Sequence, residues 1–360
     1  MIIAPARFLE ALPYSHTRVN RVTIDGLIVP LASGSLSQDR KRNARRTATM
    51  NIALDPAGAV SASSITTASS CTIEAGLKYL NGDTDYMTIA TLRVQSVRKT
   101  MKSTQLALTL ADAGQEVDDY PLIYSWSPTA PGGGAQLTVV AAIQYLVEEP
   151  IGAQTWAIDL DPALLAQTVP DGTVYSAGSS RWANINLLAT SLGAEVYPDA
   201  VGAWHIQQIR PVYLPVYDMA TGPLGVLVDV SEEAKRSDSY NAVAIEWGTP
   251  DVPGGTVLVV DDDPASPTYW NGPWGKRPKP TMKVAVETES AAIAAGKAEL
   301  AKVKGVQSGL DVQALYNPLL EINDVVGVTQ SNVARRMHVL DNIEMNLASA
   351  IMQMKTRVVS

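Results

Sequence analysis

Five cations fall within seven positions of the stretch SQDRKRNARRTATM, residues 37–50: Arg40, Lys41, Arg42, Arg45 and Arg46. A cluster this dense can track phosphates, because each neutralised phosphate releases condensed counterions. Histidine offers little other chemistry. His16, His205 and His338 lie far apart, each in a different expected domain, and none has a Cys or His at metal-ligand spacing. The acidic run Asp261, Asp262, Asp263 carries hard oxygen ligands suited to calcium but lacks the 12-residue loop pattern of an EF-hand. A strand end entering an irregular loop explains it more simply. The adjacent carboxylates Asp118 and Asp119, and Glu148 and Glu149, have no spacing that makes them face each other across a scissile bond. Neither a GxSxG elbow nor a phosphate loop ending in GK followed by Ser or Thr is present. Trp270 and Trp274, in YWNGPWGK, could stack on a sugar ring or lid the core of their own domain.

The elements around these residues decide between readings. Before the basic run, LASGSLS alternates small and apolar residues. After it, TATMNIAL alternates outward Thr, Thr and Asn with inward Ala, Met and Ile, the period of a strand. The cations therefore occupy the bend of a hairpin, expected to be solvated or to touch a neighbouring subunit, with nucleic acid as the alternative. A net charge of -8 opposes a general nucleic-acid binder, whose surface would be basic overall.

From Arg18 to about Ala113 strand follows strand. RVTIDGLIVPL holds a DG turn, CTIEAGLKYLNGD ends in an NG turn signal, and residues 86–112 fold as a long hairpin bent at MKS. The segment SPTAPGGGAQ, residues 127–136, reads as a linker. Beyond it, TVVAAIQYLVEE and SRWANINLLATSLG each place apolar residues on one helical face, the second framed by Ser180 and Gly193. AEVYPDAVGAWHIQQI reads as a strand pair. Strand texture returns in NAVAIEWG and TVLVVDDD, a helix is expected near residues 290–304, and the last two strands form a hairpin around NLAS. This final hairpin resembles the earlier one around MKS.

The expected fold is mainly β with an inserted α/β portion: two small β-barrel-like domains flanking a central α+β domain. The expected divisions are 1–126 (β-barrel-like), 127–136 (linker), 137–235 (α+β) and 236–360 (β-barrel-like, with one helix and a Pro/Trp-rich loop). A single cysteine, Cys71, excludes an internal disulfide framework and suits a reducing cytoplasm as the place of synthesis. The N-terminus reads as a short helix carrying Phe8, Leu9 and Leu12 and not as a signal peptide. The longest uncharged apolar stretch, LTVVAAIQYLV, is about half the length of a spanning helix, so a soluble protein without membrane insertion is expected.

Several passages in order, SGSLSQDRKRNARRTATMNIAL, GLKYLNGDTDYMTIATLRV, SRWANINLLATSLGAEVYPDAVGAWHI, SYNAVAIEWG, VDDDPASPTYWNGPWGKRP and NPLLEINDVVGV, resemble the minor tail proteins of actinobacterial long-tailed phages. More distantly they resemble baseplate hub proteins at the centre of tail tips. The resemblance runs over about residues 15–358 and rests on the ordered set. It implies a structural, non-enzymatic protein without cofactor or metal. Two barrel domains would form a trimeric ring of six similar barrels, adapting a six-fold tail tube or distal tail ring to three-fold tip components. Its partners would be copies of itself, the distal tail or tail tube protein and other tail-tip proteins, with DNA only in passage through the channel. Its place would be the virion tail tip, after synthesis in the host cytoplasm. The chain stops at Ser360, so lytic or receptor-binding activities of larger relatives are not carried over. Arg40, Lys41, Arg42, Arg45 and Arg46 become a candidate subunit-interface loop facing away from the channel, and Trp270 and Trp274 a candidate aromatic contact loop for a cell-wall glycan or receptor in the alternative reading. A wall hydrolase is the third possibility.

Overall fold

The computed structural model describes residues 1–12, 17–54, 64–99, 104–129, 134–210, 214–222, 225–234, 239–248, 254–284, 286–304, 308–330 and 333–358. After helix α1 (Ala6–Ala11) come seven strands: β1 (Thr17–Ile24), β2 (Leu27–Val29), β3 (Leu31–Asp39), β4 (Arg46–Ala53), β5 (Ser70–Lys78), β6 (Thr84–Lys99) and β7 (Gln105–Ala111). The β1–β2 turn carries Asp25 and Gly26 at φ 47° and 83°, the left-handed pair that a two-residue hairpin requires. The tip of the β6–β7 hairpin, where MKS stands, lies outside the described residues.

An α/β segment follows: α2 (Ala113–Asp119), α3 (Val139–Ile151), β8 (Trp156–Asp159), α4 (Pro162–Leu165), α5 (Arg181–Ser191), β9 (Ala194–Pro198) and β10 (Trp204–Gln208). Its strands form a sheet of their own in the order β8-β10-β9, and Trp204 and Ile206 bury against the apolar faces of α3 and α5. Next are β11 (Tyr217–Ala220) and β12 (Leu227–Ala234), then a second small sheet from β13 (Ala242–Trp247), β14 (Gly255–Val260) and β15 (Pro278–Lys283), on which α6 (Glu289–Val303) packs. The chain closes with β16 (Ser308–Leu315), β17 (Val325–Thr329), β18 (Arg336–Asn346) and β19 (Ile351–Val358).

β11 and β12, which local pattern does not announce, find no partner within residues 137–235. β11 runs parallel to β17, and β12 pairs antiparallel with β16. Their partners lie beyond the β13–α6 insertion, at a distance that local pattern does not report. Together β1–β7, β11, β12 and β16–β19 make one thirteen-stranded sheet. Its seam is β18. One edge of β18 is shared, with residues 336–339 pairing with β17 and residues 342–346 with β3. Beneath it a single core runs from Val22 and Ile52 at one end to Met345 and Met354 at the other. At the junction, Phe8 of α1 packs with Leu77 and Leu319. No helix among the described residues is long and apolar enough to cross a membrane.

Candidate functional site

The β3–β4 turn holds the basic run, as the flanking alternation requires, but its cations divide into two groups. Arg45 and Arg46 are buried, 5% and 2% exposed, and are taken up by their own chain. Arg45 donates to Glu195 of β9 at 2.6 Å and lies 4.0 Å from the Tyr197 ring centroid. Arg46 donates to the Pro198 carbonyl at 2.9 Å and to Glu321 at 2.6 Å. Arg40 lies 3.5 Å from both Glu195 and Asp341, and Asp341 also receives Arg357. One turn therefore clamps the first strand group, the α/β segment and the last strand group. The expectation that all five residues form a surface loop is corrected for Arg45 and Arg46. Lys41 and Arg42 do project to solvent, Arg42 reaching only Asp39 of its own turn.

Helix α2 seats this turn from behind. The buried Asp112 side chain caps α2 through Gly114 N–H at 3.0 Å and accepts Arg46 N–H at 2.8 Å. Gly114 lies so close that an added Cβ would stand 2.5 Å from the Asn43 carbonyl. Desolvation pushes the Asp112 carboxyl up to about 6, against the pull of Arg46 and Arg45. Burial likewise brings the Arg357 guanidinium down to about 9, with Arg40 adding like-charge repulsion. The charges at this junction are thus held at a desolvation cost, and their close partners offset it.

Beside the clamp lies a cleft of about 650 Å³, bordered by Arg46, Tyr86, Tyr197, His205, Glu321 and Asp324. His205 Nε2 stands 3.1 Å from Asp199 Oδ2, and its ring stacks on Tyr197 with centroids 5.2 Å apart. The same Asp199 accepts the N–H groups of Val201 and Ala203, so it organises the β9–β10 turn. This is the chemistry of a braced hairpin. His338 is buried elsewhere with Nδ1 3.0 Å from Thr356 Oγ1, and desolvation brings it down to about 4. His16 lies outside the described residues.

The other candidates have structural partners. Glu148 accepts Trp156 Nε1 at 2.7 Å, Glu149 pairs with the buried Arg181 at 2.7 Å, Asp118 accepts Asn43, and Asp119 accepts Gln115. Asp261 is buried and its Oδ2 takes the hydroxyls of Ser266 and Thr268 at 2.5 and 2.7 Å, a knot that ties the irregular loop. Among the described residues no group of three His, Cys, Asp or Glu side chains is placed to hold a metal ion. Trp270 and Trp274 are both half-buried; Trp270 donates its backbone N–H to the Asp261 carbonyl and lies under Lys276 at 5.1 Å. Buried Cys71, pushed up to about 12 by desolvation, is an inert core residue.

No family model matches the sequence, and no curated protein is similar to it in sequence. Solved structures are similar in fold. The tail protein from Neisseria meningitidis MC58 is 14% identical with a TM-score of 0.67, over 95% of this chain and 96% of that one. The 43 kDa tail protein of prophage MuSo2 from Shewanella oneidensis is 13% identical with a TM-score of 0.63, over 96% and 99%. The E. coli c3393 protein, a component of the type VI secretion system, is 9% identical with a TM-score of 0.52, over 94% and 77%. At such identities the likeness speaks for the fold. The mainly β architecture with its inserted α/β segments is shared with these two tail proteins and with this component of the type VI secretion system.

Proposed function

We propose that this chain is a structural protein of a phage tail tip, in which three copies form a ring that adapts a six-fold tail tube or distal tail ring to three-fold tip components. The observation that carries the reading is the β18–β3 seam, which joins two strand groups into one sheet over one core. A subunit with two fused, similar lobes presents six lobes when three copies assemble about an axis, so it can face six-fold and three-fold neighbours alike. Each lobe has a long antiparallel hairpin, β6–β7 and β18–β19, with a register shift on its first strand, at Val94/Ser96 and Leu340/Asn342. End-to-end likeness in fold to a tail protein from Neisseria meningitidis and to a prophage tail protein supports the same role. Lys41 and Arg42, projecting from the turn, are suited to meet acidic groups of a neighbouring subunit or ring, giving register more than affinity. The role is architectural and needs no cofactor, the location is the virion, and an origin among actinobacterial long-tailed phages belongs to the same reading. Reconstruction of virion tails carrying this chain tests it. Three copies in a ring at the tip are expected, and a six-fold or two-fold arrangement, or density elsewhere, overturns it.

A further inference from the structure

The small sheet β14-β13-β15 ends on one side in β14, whose sequence is GTVLVV. Val284, on the β15 side, donates its N–H to the Glu246 carbonyl of β13 at 3.0 Å. Backbone groups alternate sides along a strand, so Ile245 and Trp247 face β14 and form the hydrogen-bonded pairs with Val257 and Gly255 opposite them. The N–H and C=O groups of Thr256, Leu258 and Val260 therefore point away from β13, and among the described residues nothing pairs with them. The strand is regular, its six residues pairing with β13 without a register shift. Helix α6 backs it so closely that a Cβ at Gly296 would stand 2.6 Å from Val259. On the opposite face Leu258 is 52% exposed beside the small Ala244.

Terminal strands are ordinarily guarded against further pairing by shortness, charge, proline or a bulge. Others in this molecule are guarded so. β2 has three residues, and β8 and β11 have four each. β12 carries Asp229 and Glu232 and a register shift. β9 ends in Pro198, with Arg45 and Arg46 bonded against it. β15, on the far side of the same small sheet, has Pro278, Pro280 and a register shift. β14 has no charge, no proline and no bulge, and it runs out into the exposed Asp262 and Asp263.

We infer that β14 is a docking edge, on which an extended segment of another protein adds as a fourth strand, antiparallel to β14 and with basic residues at its N-terminal end. The outward backbone groups of Thr256, Leu258 and Val260 supply affinity, and an apolar side chain of the added strand covers Leu258. An antiparallel segment begins where β14 ends, so its first residues are the ones that reach Asp262 and Asp263 and fix its direction. A second copy of this chain suits the edge less well. Antiparallel self-pairing centred on Leu258 sets Asp262 opposite Gly254 and leaves its carboxylate unmatched, and parallel pairing brings the two acidic ends together. The site is independent of the ring proposed above.

The test measures binding of the full chain to a fluorescent synthetic peptide in which two lysines precede alternating valine and threonine. Saturable binding is expected, about fivefold tighter than for the same peptide with its lysines moved to the C-terminal end. Asp262→Asn with Asp263→Asn should erase that difference. Leu258→Pro removes an outward N–H and leaves the ladder to β13 intact, so the variant should melt near the wild type and bind the lysine-first peptide about tenfold more weakly. The same peptide N-methylated on every valine and threonine should bind the wild type as weakly, an arm that decides the matter even where Leu258→Pro impairs folding. No binding, equal binding of the two lysine placements, or binding undiminished by N-methylation overturns the site. Sedimentation of the wild type supplies the last arm: a monomer is expected, and dimers that Leu258→Pro dissolves would put a second copy on the edge and overturn the occupant inferred here.

Discussion

Arg46 and Glu321 meet at 2.6 Å across 275 positions of sequence, and the same guanidinium donates to Pro198 of the α/β segment. One side chain thereby fixes three parts of the molecule that could otherwise hinge.

Replacing Arg46 with Ala leaves the Glu321 carboxylate and the Pro198 carbonyl without their partner at a buried junction. The expected cost is about 3–5 kcal/mol in urea unfolding. Lys41→Ser with Arg42→Ser should change stability by less than about 0.5 kcal/mol, because both project into solvent. Equal costs for the two variants would refute the division of the basic run into clamp and tip.

Stability should fall with acid through His338. Its folded-state value, about 4, lies below the ordinary 6.5, so the unfolded chain takes up a proton that the folded chain refuses. The associated stability is present above pH 6.5 and is lost as pH falls toward 4. His338→Met should flatten that part of the profile by about 1–3 kcal/mol, whatever its effect on absolute stability. Asp112 acts in the opposite sense: its raised value makes ionisation unfavourable in the folded state, so its contribution declines as pH rises from about 4 to about 6. A thermal-melt series across pH 4–8 for the wild type, His338→Met and Asp112→Asn measures these slopes.

Asp261→Ala removes the acceptor of two hydroxyl bonds, one buried from Thr268 and one part-buried from Ser266. A loss of about 1–3 kcal/mol and faster proteolytic cutting between residues 261 and 276 are expected. Chelator treatment of the wild type should leave the melting temperature unchanged, and a calcium-dependent rise in stability would restore the metal reading of the acidic run. Trp270→Ala and Trp274→Ala are expected to lower stability by a similar amount; normal stability with lost retention on cell-wall glycan would favour the contact-loop alternative.

The two hairpins should prove equivalent in an assembled tail. Superposition of residues 86–111 on residues 335–359 in an experimental reconstruction, with six such hairpins around the axis, is the expected outcome. Unlike strand paths around the axis would make their similarity coincidental.

Features set by near neighbours were legible in the amino-acid sequence. Ser180 caps α5 by accepting Ala183 N–H, Gly193 ends that helix at φ 59°, and Thr47 to Ile52 alternate out and in as their pattern requires. Features set by remote partners were not. Arg45 looks like its exposed neighbours in the sequence, and Glu195, 150 positions on, draws it inside together with the Tyr197 ring. β12 is polar and short on signals, and its place depends on β16 across an inserted sheet. The short β8 gains its identity from the parallel β10, which no local turn announces.

The shared edge of β18 also dictates an order of events during synthesis. Residues 35–39 of β3 can complete their hydrogen bonding only when residues 342–346 leave the ribosome, about 300 residues later. At translation rates of roughly 5–20 residues per second, that edge stays open on the order of tens of seconds. Its own side chains are guarded for the wait: Ser35 and Ser37 alternate with inward Leu36 and Gln38, and a polar strand edge is a poor template for aggregation. The nascent protein thus remains an unclosed girdle until nearly its last strand is made, and a truncated product would retain a vacancy along β3 that only a β18 segment fits.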